Sequence, residues 1–112
     1  MNRRLFPLAL LAIIAFPTGS TASDIDGEWT CKANGDIPMG ILTITGMSYR
    51  LDEVNAGGTR TGQGGSGSLT AGASGLVAAN GPLVAFNAVG NIENGVLFWN
   101  NSAGTIMACW QY

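Results

Sequence analysis

Beyond residue 26, apolar and polar residues alternate in short runs separated by turn-forming pairs. The clearest run is Met47-Ser48-Tyr49-Arg50-Leu51-Asp52, with Met47, Tyr49 and Leu51 on one face and Ser48, Arg50 and Asp52 on the other. That period of two predicts a strand with one dry and one wet face. The preceding run from Gly40 to Thr45 is apolar and β-branched, and Gly46 lets the two close as a hairpin. Near the start, Trp29 and Cys31 share a face opposite Glu28, Thr30 and Lys32. Asp26-Gly27, Asn34-Gly35, Asn80-Gly81 and Asn94-Gly95 fall between runs, and such pairs accept the positive φ of tight turns.

Residues 57–75 hold eight glycines among nineteen positions. A structureless loop of that length is out of proportion in a small domain, so an irregular strand is expected within 59–70, with Leu69 pointing inward. Apolar runs at 75–79, 82–89, 95–99 and 105–110 complete a series of about eight short strands, and no segment carries a sustained helical stripe. Together they predict an all-β fold, a small antiparallel up-and-down β-barrel. With an even number of strands in sequential order, the first and last meet antiparallel. Cys31 then faces Cys109 across the closure.

The first residues add a destination. Arg3 and Arg4 precede an uncharged run from Leu5 to Phe16, and small residues follow up to Ala22. This order is that of a secretory signal peptide over 1–22, and the apolar run is shorter than the roughly 20 residues of a membrane span. Export through the ordinary unfolded route is expected, to the periplasm or beyond, with no membrane insertion once the signal is removed. Residues 23–112 then form a single domain. In an oxidising compartment the two cysteines read as one disulfide, the staple a domain this small needs. Asn100-Asn101-Ser102 is also an acceptor pattern for glycosylation in a eukaryotic secretory route.

Charge and missing residue types narrow the function. After residue 22 only Lys32, Arg50 and Arg60 stand against seven acids, a formal charge of −4, so no basic footprint for nucleic acid exists there. The chain has no histidine, which removes the usual general base and the commonest transition-metal ligand, and no catalytic set, metal site or cofactor site is expected. Asp24, Asp26 and Glu28 alternate before and into the first strand. They read as a solvated acidic edge rather than a calcium site. The run from Gly62 to Ser68 lacks the Gly-Lys-Ser/Thr ending of a phosphate loop.

Gly27-Glu28-Trp29 on a first strand, followed by sequential hairpins, resembles the calycin group of β-barrels: lipocalins, avidins and bacterial inhibitors of secreted metalloproteases. The resemblance implies that Trp29 is a structural plug at one end of the barrel. It covers one strand, and the chain is shorter than most of that group. Of the remaining large residues, Trp99 lies opposite in parity to Val96 and Phe98, and Trp110 opposite to Cys109. Trp99 and Trp110 are therefore expected to face away from their apolar neighbours as contacts for a ligand or partner. The function expected is that of an exported, non-enzymatic binding module for a small apolar ligand or a protein. The alternatives are a secreted or periplasmic protease inhibitor and a structural component of the cell envelope.

Overall fold

The computed structural model describes residues 25–34 and 36–111. The expected signal over 1–22 lies outside them, as do Asp24 and the terminal Tyr112. Eight strands follow in order: β1 (Gly27–Ala33), β2 (Ile37–Thr45), β3 (Ser48–Val54), β4 (Arg60–Gly72), β5 (Gly75–Ala78), β6 (Val89–Glu93), β7 (Val96–Asn101) and β8 (Gly104–Trp110). Each pairs antiparallel with the next, and β8 returns to β1 to close the barrel. The fold is thus the all-β antiparallel barrel that alternation and turn spacing predict. Cys31 and Cys109 stand directly opposite each other, with Cα atoms 4.0 Å apart, and are disulfide-bonded.

The ladders are unequal. Those from β1 through β5 and those from β6 through β8 are longer than the two that join these blocks. On one side Leu76 opposite Gly90 and Val77 opposite Val89 make the whole β5–β6 ladder. On the other, β1 and β8 meet through Thr30–Trp110, Cys31–Cys109 and Lys32–Ala108. The barrel is therefore a five-stranded and a three-stranded sheet joined along two short seams, one of them covalent.

The glycine-rich stretch is mostly strand. Residues 60–72 form β4, whose first part pairs with β3 and whose last part pairs with β5, and Leu69 is buried as expected. Its glycines leave space on the wall for another piece of backbone: a Cβ on Gly67 would run into the Asn80 carbonyl, and one on Gly65 would crowd Pro82 at 3.1 Å. The segment lying there corrects the strand expected over 82–89. Pro82–Phe86 is a 3-10 helix, and the sixth strand starts later, at Val89. Pro82 has no N–H to give a ladder and sits readily in a first helical turn. Val84 N–H donates to Gly81 and Asn87 N–H to Val84, after which Asn87, at φ 51°, turns the chain towards β6.

Side chains occupy the barrel interior. Trp29, Trp99, Leu42, Ile44, Leu97, Met107 and the two half-cystines are essentially removed from solvent, with Leu69, Leu83 and Tyr49 packed against them. Gly90 pairs directly with Trp99, and a Cβ there would meet the indole ring at 2.9 Å, so the absence of a side chain on β6 makes room for the large one on β7. Tyr49 reaches out of the same core. Its hydroxyl donates to the Asn80 carbonyl at 2.8 Å and accepts from Leu83 N–H at 2.9 Å, holding the 3-10 segment to the barrel.

Two stability outcomes follow from these contacts. Reducing the disulfide, or replacing both Cys31 and Cys109 by Ser, is expected to lower the unfolding free energy by about 3–5 kcal/mol, because a closure across 78 residues constrains the unfolded chain. Urea titration with and without reductant measures it; coincident curves would show that the strand ladders suffice. Gly67→Ala is expected to cost about 1–3 kcal/mol through overpacking against backbone. Gly57→Ala, where the nearest atom is Asn55 Oδ1 at 3.4 Å, is expected to stay within about 0.5 kcal/mol, the usual range for surface changes, in the same titration.

Candidate functional site

Alternation on each strand sends one set of side chains into the filled interior and the other outward, so the functional surfaces lie outside. On the sheet from β1 to β4 most outward side chains are polar, with Ile41 between Thr30 and Asp52 an apolar exception. Arg60 binds Glu28 at 2.6 Å and Asp52 at 3.1 Å, while Arg50 binds Asp52 at 2.7 Å. The Arg50 hydrogen bond, aided by Arg60, holds the Asp52 carboxyl below its ordinary range against the opposing effect of partial burial. The hydrogen bonds that Arg60 donates to Glu28 and Asp52 in turn raise its guanidinium above the ordinary value. This network balances two cations against two acids and leaves no strong field. Beside it, Thr43, Thr45, Ser48, Ser66 and Arg50 line an open concavity of about 540 Å³.

The outer surface on the other flank of β1, over β7 and β8, differs. The register places Phe98, Ala108 and Lys32 in one transverse row across β7, β8 and β1, and Val96, Trp110 and Thr30 in the next row. Ala108 is the small floor between the Phe98 ring and the Lys32 stem, with Trp110 above and Ile106 below, in a groove of about 330 Å³. All five residues are half-buried. Two ladder irregularities border this groove, one between Cys31 and Lys32 and one between Trp99 and Asn100. Bulges of this kind increase local twist and re-aim neighbouring side chains.

The tryptophans separate by parity. Trp29 is 2% exposed, and its indole N–H donates to the Ile25 carbonyl at 2.8 Å, which ties the chain before β1 to the core. Trp99 shares its face with Leu97, pairs with Met107 and is 1% exposed. The expectation that Trp99 faces away from its apolar neighbours is therefore corrected: on β7 Leu97 and Trp99 are buried inside, and the half-buried Phe98 takes the outward place. Sequence reading set Trp99 against Phe98 correctly but chose the wrong side, because Gly90, which admits the indole, lies on another strand. The Trp99 indole N–H is buried without a partner among the described residues. Trp110 is on the outer face, as expected, and the structure joins it to Phe98, Ala108 and Lys32, which sequence reading did not single out. The signal was available in part: Phe98 and Trp110 oppose the parity of Leu97 and Cys109.

The remaining chemistry is structural. Burial raises the Tyr49 hydroxyl above its usual value although Leu83 N–H partly opposes this, so it stays protonated and keeps both hydrogen bonds at neutral pH. Asp26 Oδ1 accepts from Gly46 N–H at 2.8 Å, binding the chain before β1 to the β2–β3 turn. Among the described residues no three histidine, cysteine or carboxylate side chains gather where they could hold a metal ion. No family model, curated protein or solved structure matches the chain.

The ion network predicts an acid response. Because the Asp52 value is lowered on folding, its contribution is present at neutral pH and is lost as pH falls from the ordinary carboxylate range, about 4, towards the folded value. Asp52→Asn should remove part of the difference in urea midpoint between neutral pH and pH below about 4. An unchanged acid dependence in that variant would assign the response to other carboxylates.

Proposed function

We propose that this chain is an exported, non-enzymatic docking module whose partner is a protein, held on the outer groove of β7, β8 and β1 around Trp110 and Phe98. The observation that carries the reading is the division between inside and outside. Trp29, Trp99, Leu42, Ile44, Leu97 and Met107 fill the interior that a ligand-carrying barrel would keep open, while two aromatic residues stand outside on adjacent strands. Aromatic anchors in a small pocket supply the desolvated area that protein recognition uses.

The hydroxyl-lined concavity is larger, but its one aromatic residue, Tyr49, is buried in the core and held by hydrogen bonds to Asn80 and from Leu83, so the concavity offers no ring as an anchor. Its cation, Arg50, is already engaged with Asp52. The charged outer face of β1 to β4 also suits water better than a lipid surface, which supports a barrel released from the membrane. The basic, apolar and small-residue order of residues 1–22, together with the disulfide, supports export.

Immobilised protein carrying Trp110→Ala or Phe98→Ala is expected to retain at least about tenfold less of a partner from its own exported fraction than the parent chain, in line with aromatic interface anchors. Ser48→Ala on the hydroxyl face should retain it unchanged. Thermal melting of the same variants separates lost contact from lost fold; equal retention by all of them would remove this groove as the docking face.

A further inference from the structure

We infer that the groove recognises an acidic peptide segment, in which an apolar side chain enters between Phe98 and Trp110 and an adjacent carboxylate meets the Lys32 ammonium. This deepens the docking reading given above and rests on it. Among the described residues the cations are Lys32, Arg50 and Arg60, and both arginines are spent in ion pairs on the polar side of the barrel. Lys32 alone has no acidic partner among those residues, and it lies beside the aromatic groove.

The spacing fits one residue and its neighbour. Phe98 is opposite Ala108, and Ala108 is opposite Lys32, so the aromatic and the cationic positions lie two strand spacings apart, about 10 Å between backbones. An apolar side chain over the Ala108 methyl brings a carboxylate on the next residue within reach of the flexible lysine. Of the neighbouring acids, Glu93 stands opposite Val96 beyond the Trp110 row, Glu28 is paired with Arg60, and Asp36 lies in the turn between β1 and β2 without a salt bridge to Lys32. Lys32 alone therefore fixes where a bound carboxylate sits. The ladder irregularity between Cys31 and Lys32 falls at the residue that supplies the charge. A neutral apolar partner would satisfy the rings and leave this cation without a counter-charge.

Selection of a random displayed peptide library on the purified chain, with its native N-terminus and disulfide, tests the inference. Enriched peptides should carry Asp or Glu next to a leucine-, isoleucine- or phenylalanine-like residue. A synthetic winner should bind about fivefold tighter than its Asp→Asn or Glu→Gln counterpart, the ratio an exposed charge pair supports. Raising the salt to about 0.5 M should erase that ratio. Lys32→Gln should abolish the acid preference and leave the apolar requirement, and Trp110→Ala should abolish both. Enrichment without acidic residues that still depends on Trp110 would overturn the acidic specificity and leave the docking face standing. Enrichment indifferent to Trp110, or no enrichment at all, would overturn both.

Discussion

The disulfide between Cys31 and Cys109 is the constraint on which the rest of this structure depends. It sits in a β1–β8 ladder of only three residue pairs, at one of the two seams between the five-stranded and three-stranded sheets. The other seam, β5 to β6, is shorter still and has no covalent tie. Without the bond, two short ladders and the connection through the 3-10 helix would have to hold the sheets as a barrel, in a domain whose core is small. Both half-cystines are fully buried, so the closure is shielded from exchange with external thiols and acts as a fixed part of the wall.

A closed wall of this circumference leaves little interior, and the chain fills it by placing large rings where backbone is bare. Trp99 lies over Gly90, the Asn80 backbone over Gly67 and the Pro82 ring over Gly65. The composition that looks like a linker in β4 is what allows a second layer of backbone to pack inside reach of Tyr49. A barrel so filled has given its interior to stability. The outer faces carry what remains of its chemistry, a balanced ion network over β1 to β4 and an aromatic groove over β7, β8 and β1 whose lysine has no acidic partner among the described residues.

Much of the fold was legible because its determinants are local. The period of two over 47–52, the Asn-Gly pairs and the parity of Cys31 and Cys109 each act within a few residues, and they are enough for strand type, order and closure. What escaped depends on contacts between distant strands. The misplaced sixth strand shows this: 82–89 is apolar enough for a strand, but Pro82 starts a 3-10 helix there, while Gly90 and Asn91 conceal the true strand by lacking the usual strand residues. The groove escaped in the same way. Trp110 could be named from parity on β8, whereas its grouping with Phe98, Ala108 and Lys32 exists only once the register of three strands is known.

The claim that binding belongs to the outer face at Trp110 is tested most directly by photo-crosslinking in the native compartment, with a photoreactive aromatic residue in place of Trp110 and, separately, in place of Arg50 on the polar side. A discrete covalent adduct from position 110, absent from position 50, is the predicted result. Adducts from position 50 alone, or none from position 110, would contradict the account and return the search for function to the hydroxyl-lined face.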